Sequence, residues 1–375
     1  MSDTQYHPSL LAAVKRHQEF FQGKRSYLIK MSVNLLESTE GDLRVKQKHQ
    51  EMLKRFVPDV PYDGLDWNRE FGNYYRSAVH NAKVRAEFRL DLGLGDDYIP
   101  GYYPYFGTAI HHAMFGGKVE FGGGTSCCHP VIEEACEWEN LHFSMQNEWM
   151  QRLGEAMTYC RDHGDGVLLA TLRGTNGPMD TANGVMGNQL FLDILLDPEN
   201  TEQVMRISTE ACDAMYSFQQ ECASEICGGF VIPTGGVWMP KPMFGHIAVD
   251  ASLLTGPAIY NEFEKKWIEK LAEKYQGFQL HTHMMGLHMH KDYAATKGIQ
   301  LICPADDPKQ PTVREKLDEL LDSVGDIPLM VSVEKDDIQK LVPKFKGKRC
   351  ILNLFANSRR DALEQMEQVH ALLDV

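Results

Sequence analysis

The chain has 375 residues, of which 43% are hydrophobic and 24% are charged, enough for one large core or two modest ones. Its formal net charge of -14 argues against nucleic acid or an anionic membrane as a partner, and no apolar run approaches the ~20 residues of a membrane span. Nine cysteines without a CxxC pair, and a polar N-terminus without a signal-peptide pattern, favour a reduced, cytoplasmic protein.

The first ninety residues are predicted to be mostly helical. Three segments have helical spacing: residues 8–24, 40–56 and 67–89. Residues 58–64 are predicted to form a loop from their proline and glycine content. The apolar run at 27–31 is a candidate first strand. We therefore expect residues 1–90 to form an N-terminal helical extension that carries this strand, ahead of a main domain at residues 91–375.

Seven further apolar runs follow, most of them after a helical stretch. They cover residues 94–100, 167–172, 244–250, 278–280, 298–303, 328–333 and 349–354. With the first strand they make eight, the number that a closed (β/α)8 barrel needs. The sequence therefore predicts an α/β protein with the TIM-barrel fold, whose active site lies at the C-terminal ends of the strands.

Polar side chains stand at or just beyond the ends of these runs. Asp97, Asp250 and Glu334 are the candidate catalytic groups, since a carboxylate there can move a proton or orient a histidine. For Asp250, capping of the following helix is an equally simple role. Four residues are candidates for binding substrate: Tyr98, Arg173, Asn176 and Trp238. We expect one cavity to collect Asp97, Arg173, Asp250, His281, Cys303 and Glu334.

His281 and His283 are the candidate metal ligands. Two residues apart on one strand, they point to the same side and can reach one ion. Cys303 ends the next predicted strand, about 4.8 Å away laterally, and is the candidate third ligand. Two imidazoles and a thiolate suit zinc and leave a position for substrate. The alternative is that one histidine is a core residue and the other binds substrate.

Two stretches resemble the uroporphyrinogen decarboxylase superfamily: VDASLLTGPAIYNEF followed by LHTHMMG, and GPMDTANGVMGNQLFLDILLDPE at residues 177–199. The resemblance extends from roughly residue 96 to the end of the sequence. The superfamily includes the porphyrin decarboxylase and zinc-dependent methyltransferases that work with corrinoid proteins or thiols. Membership implies a (β/α)8 barrel, often assembled as a homodimer.

The two branches of this superfamily differ in their site residues. In the methyltransferases, His281 matches the first residue of a zinc-binding His-x-Cys pair, a further ligand lies near Cys303, and a cysteine ends the last strand. This chain has His283 in place of the paired cysteine, and Phe-Ala-Asn at residues 355–357. The decarboxylase opens with Met-Arg-Gln-Ala-Gly-Arg-Tyr, where residues 30–34 read KMSVN here. The resemblance therefore favours the methyltransferase branch.

The expected function is a metal-dependent methyl transfer with zinc as the cofactor. A small molecule of the methyl ether or methylamine class would exchange its methyl group with a corrinoid protein or a thiol. One alternative is a metal-free decarboxylase of the porphyrinogen type, which would use arginines and Asp97. The other is a barrel that binds a small molecule without catalysis.

Overall fold

The computed structural model describes residues 6–34, 66–122, 125–232, 236–243 and 245–374. Thirteen strands are present in these ranges: β1 (Tyr27–Val33), β2 (Gly101–Tyr102), β3 (Val119–Gly122), β4 (Thr125–Cys128), β5 (Leu169–Ala170), β6 (Thr175–Asn176), β7 (Gly229–Ile232), β8 (Val237–Pro240), β9 (His246–Ala248), β10 (Phe278–His283), β11 (Ile299–Ala305), β12 (Leu329–Val333) and β13 (Cys350–Ala356). Seven form the central sheet, in the order β1-β13-β12-β11-β10-β9-β6. Every neighbouring pair in it is parallel.

Helices connect most of these parallel strands. They are α1 (Pro8–Phe21), α2 (Trp67–Asp91), α3 (Glu148–His163), α4 (Pro178–Met186), α5 (Gln189–Leu196), α6 (Pro198–Cys222), α7 (Pro257–Ile259), α8 (Lys265–Tyr275), α9 (His290–Ala294), α10 (Val313–Val324), α11 (Ile338–Leu341) and α12 (Arg359–Leu373). A π-helical turn, Tyr260–Glu264, joins α7 to α8. None of the described helices is long and apolar enough to cross a membrane.

Local sequence signals explain where several helices begin. Thr312 and Glu315 form a capping box at the start of α10, in which each side chain satisfies a backbone N–H of the other. The Ser358 hydroxyl accepts the Asp361 N–H at the start of α12. The Asp197 side chain caps α6 from the position before a helix-initiating proline.

The sheet is parallel, as the sequence predicts. The strand pairings among the described residues do not, however, show eight strands closed into a ring. The predicted second strand at 94–100 has no strand geometry; only β2 follows it, paired with β5. Backbone hydrogen bonds still tie this segment to its neighbours, from Asp97 to Ile29 and from Leu169 to Pro100. The structure thus shows a mixed α/β fold with a mainly parallel central sheet.

The predicted first strand is present as β1, which pairs with β13 and so belongs to the central sheet. The helix and loop predicted at 40–56 and 58–64 lie outside the described residues, as does residue 244 at the start of another predicted run. The predicted helices at 8–24 and 67–89 correspond to α1 and α2.

One face of the central sheet carries polar side chains. Lys30, Asn353 and Ser332 are aligned in register across three strands, and His281 is opposite Cys303 across two others. Except for Lys30, these residues are less buried than the apolar neighbours that alternate with them. Part of this face lines a cavity of about 400 Å³. The alternation therefore separates an apolar face of the sheet from a polar face that borders a cavity.

Candidate functional site

Three strands that are neighbours in the central sheet position the candidate site. β10 ends with His281 and His283, β9 is followed by Asp250, and β11 is followed by Asp307. Parallel strands end at the same edge of a sheet, so residues far apart in sequence meet at this edge.

Asp250, His281 and His283 form a group of potential ligands. One ligand atom from each residue lies within 4.8 Å of the others. Asp250 is exposed, whereas the two histidines are partly buried, so the group opens to solvent on the carboxylate side. Two imidazoles and one carboxylate are a donor set that suits zinc and non-haem iron.

A second carboxylate fixes the His283 ring. Its Nδ1 lies 2.7 Å from Asp307 Oδ1, and Asp307 Oδ2 accepts a 2.9 Å hydrogen bond from the Met285 N–H. On the other side, Nε2 lies 3.5 Å from Asp250 Oδ1. When Nδ1–H donates to Asp307, the Nε2 lone pair of the neutral ring faces a carboxylate oxygen. A cation at that point would be bound by both groups, and a carboxylate behind a histidine is the usual support in metal sites.

Burial of the His281 ring favours its neutral form. Burial lowers its pKa, although the charge of Asp250 opposes this. Its Nδ1 is buried and has no hydrogen-bond partner among the described residues. The ring stacks on that of His246, with centroids 5.4 Å apart, and burial lowers the pKa of His246 to about 3. A neutral imidazole with a free nitrogen is prepared to bind a metal.

Asp180 is a buried carboxyl that positions the backbone of Asp250. Its oxygens accept hydrogen bonds from the N–H groups of Asp250, at 3.2 Å, and Ala251, at 2.6 Å. Burial and the nearby charge of Asp250 raise the pKa of Asp180 to about 7. The pKa of buried Glu264 is also raised, first by burial and then by Asp180. A cation near these carboxyl groups would stabilise their ionised forms.

Arg173 and Asn176 come just before and at the end of β6, respectively. Arg173 is buried and contacts His111 Nε2 at 2.6 Å. Burial lowers the pKa of Arg173 to about 10, which leaves the guanidinium charged at neutral pH. The Asn176 amide donates to His112 Nε2 at 2.9 Å, and Asn176 lines a cavity of about 270 Å³ that also includes Asp250. The structure thus brings Asn176 and Asp250 together at one cavity.

Two predicted site residues are tied to internal contacts instead. Asp97 is buried, pairs with Arg16 and accepts the Ile29 N–H at 2.6 Å. Trp238 is buried, and its indole N–H donates to the Ile226 carbonyl at 2.9 Å. With their polar atoms satisfied by the protein itself, this placement argues against a catalytic role for Asp97 and against substrate binding by Trp238.

The remaining predicted residues lie around the polar face. Cys303 is on the same face as the two histidines, but Asp250 takes the third place in the group of ligand atoms. Burial raises the pKa of the Cys303 thiol to about 12, although the charge of Lys30 opposes this. Glu334 follows β12 and is exposed, and Tyr98 lines the 400 Å³ cavity. Tyr98 and Asp250 thus line two different cavities, while one cavity for all the predicted residues stays a prediction.

Three residues of the site were not among the predicted ones: Asp180, His246 and Asp307. A signal for Asp307 was present, since it stands two residues beyond β11, just as Asp250 stands two residues beyond β9. Asp180 is part of the GPMDTAN stretch. No sequence pattern marks His246, because its role comes from stacking on a residue of another strand.

No protein-family model matches the sequence, and none of the curated proteins matches it. Among solved structures, the chain is similar to a methyltransferase from Methanosarcina mazei, with a TM-score of 0.60 and 16% sequence identity. The likeness covers 96% of this chain and 98% of that one. At such low identity it shows that the two proteins share a fold.

Proposed function

We propose that this protein is a metal-dependent methyltransferase of the uroporphyrinogen decarboxylase superfamily. The observation that carries the proposal is the Asp250–His281–His283 group at the C-terminal ends of parallel strands. The fold it shares with the Methanosarcina mazei methyltransferase supports the same assignment. The proposal includes closure of the sheet into a barrel through residues 94–102 and β5.

The proposed ion is zinc, held by Asp250, His281 and His283. Zinc bound there would supply Lewis acidity toward an oxygen or sulfur atom of the substrate. Asp307 would hold His283 in the tautomer whose Nε2 is free to bind, and His246 would fix the plane of the His281 ring. Asp250 replaces Cys303 as the proposed third ligand because its carboxylate is the group beside both imidazoles.

The proposed reaction passes a methyl group between a small donor and a corrinoid protein or thiol. The donor would be a methyl ether or methylamine that enters beside the exposed carboxylate of Asp250. Asn176 lines the cavity there and can orient a polar group of the substrate. A corrinoid-carrying partner protein and a homodimeric assembly are part of this proposal.

The first experiment measures metal. Protein purified without a His tag is analysed for zinc, together with His281→Ala, His283→Ala and the control His288→Ala, which removes an exposed histidine outside the group. We expect near-stoichiometric zinc in the wild type and in His288→Ala, and loss of zinc from the other two variants. Zinc that is equally bound by all four proteins would contradict the proposed site.

The second experiment measures the reaction. Wild-type protein is incubated with methylcobalamin and a thiol, and demethylation of the corrinoid is followed by its visible spectrum. We expect turnover that His283→Ala loses and His288→Ala keeps. Full activity of metal-free wild-type protein would contradict metal dependence. Formation of coproporphyrinogen from uroporphyrinogen would instead support the decarboxylase alternative.

A further inference from the structure

Lys30 is a buried cation on the polar face of the central sheet. It lies on β1, in register with Asn353, and only 6% of the residue is exposed. It lines the cavity of about 400 Å³ together with Thr171, Ser332 and Asn353. Apart from Lys30, these side chains are neutral hydrogen-bonding groups.

Nearby acids offset this charge only in part: Asp96 and Asp97 both stabilise the charged form of Lys30, but neither forms an ion pair with it. Among the described residues, Lys30 takes part in no salt bridge and no side-chain hydrogen bond. Asp96 has the largest charge effect on the pKa of Lys30. Its Oδ2 already accepts hydrogen bonds from Arg89 at 2.6 Å and from the Met31 N–H at 2.9 Å. Burial accordingly lowers the pKa of Lys30 to about 8, with Asp96 opposing the shift.

A second group in the same cavity also lacks a partner. Thr171 Oγ1 is buried and makes no hydrogen bond in the described part of the chain. Gly236 faces Lys30, and a side chain at that position would place its Cβ 3.4 Å from Nζ. A mostly buried lysine without an ion-pair partner and a buried hydroxyl without a hydrogen bond are both costly, so together they point to a ligand that completes them.

We propose that Lys30 binds the singly charged acid group, a carboxylate or sulfonate, of a small-molecule ligand, with Thr171, Ser332 and Asn353 as neutral hydrogen-bond partners. A single ammonium that its neighbours offset only in part favours a ligand with one negative charge, which it binds as a point charge. Burial raises the pKa of Cys303, the charge of Lys30 opposes this rise, and Cys303 pairs in register with His281. The acid group would therefore be held on the face of the sheet that carries the histidines.

The inference rests on the proposed function in one respect only: it takes the acid to be part of the substrate. The probe is sodium propionate, with propionamide as the uncharged match at constant ionic strength and methanesulfonate and inorganic phosphate as further arms. Melting temperature and calorimetric binding are measured for the wild type, Lys30→Met and the exposed-lysine control Lys340→Met.

We expect saturable binding of propionate or methanesulfonate, but not propionamide, to the wild type and to Lys340→Met. Lys30→Met should bind about tenfold more weakly or not at all, because it lacks a charge-assisted hydrogen bond. Without ligand it should melt at the same temperature as the wild type or higher, since an unpaired buried charge has been removed.

The assignment would be overturned by unchanged propionate binding in Lys30→Met, by no binding of any of the anions to the wild type, or by a clearly lower melting temperature of Lys30→Met. Preferred binding of phosphate would reject a singly charged ligand. The measurements require neither metal nor turnover. His281→Ala should therefore keep the propionate response, and the two proposals can fail separately.

Discussion

Asp97 and Asp250 hold similar places in the sequence pattern but lie in opposite environments. The side chain of Asp97 is 4% exposed, and its oxygens accept from Arg16 and from the Ile29 N–H. That of Asp250 is 53% exposed and faces His283 at 3.5 Å. A carboxylate whose oxygens are satisfied internally stabilises the fold, whereas one left open beside imidazoles is available for binding and chemistry.

The largest expected effect is a loss of stability without a loss of metal binding, in the variant Asp97→Ala. Asp97→Ala leaves the Arg16 guanidinium without its partner in a mostly buried position, so we expect a loss of about 3 kcal/mol in the free energy of unfolding. Zinc per folded protein should be unchanged. Asp250→Ala should show the reverse, with near-normal stability in the metal-free state. Urea unfolding and metal analysis of both variants test the comparison, and similar profiles for the two would break it.

The next prediction concerns the third ligand. Asp250→Ala should weaken zinc binding by more than the roughly 100-fold that loss of a supporting group can cost. Cys303→Ser should change it little, because Asp250 is the residue beside both imidazoles. Competition with a zinc chelator measures both affinities. A larger loss in Cys303→Ser than in Asp250→Ala would return the thiol to the ligand set.

A smaller effect on zinc affinity is expected from Asp307, which contacts the His283 ring on the side away from Asp250. Asp307→Asn weakens the hydrogen bond that fixes the His283 tautomer, and we expect zinc affinity to fall by about 10–100-fold. The matched control is Asp306→Asn, since Asp306 accepts the Val313 N–H at 2.6 Å and does not contact the histidine. Equal zinc affinities of the two variants would show that Asp307 does not support the site.

The smallest effect at neutral pH concerns His17, which lies next to Arg16 on α1. Burial lowers the pKa of His17 to about 3, so the unfolded chain takes up a proton below pH 6.5 that the folded chain does not. Its contribution to stability is therefore complete above pH 6.5 and declines as the pH falls towards 3, by about 1.4 kcal/mol per pH unit.

Urea unfolding between pH 7 and pH 4 tests this expectation. His17→Leu should reduce the loss of stability on acidification, whereas His80→Leu, at an exposed position, should follow the wild type. The same slope in all three proteins would show that His17 is not among the groups that make the fold sensitive to acid.

Much of the sheet was predictable, because strand residues carry a local signal. The apolar runs that became β1, β10, β11, β12 and β13 are short, continuous and separated by helical stretches. The run at 94–100 looked similar but contains Asp96 and Asp97, whose carboxylates bind the backbone of β1. The segment is therefore attached to the sheet by side chains as well as by its own backbone, which no periodicity reveals.

The sequence by itself determined that His281 and His283 share a side of one strand, since side-chain direction alternates with every residue. It also determined that carboxylates would follow neighbouring apolar runs. Only the tertiary structure decided which acid meets the imidazoles: the order β9-β10-β11 brings in Asp250 and Asp307, while Asp97 pairs with Arg16 beside β1. Strand order and register depend on packing of the whole chain, so no local pattern could have made that choice.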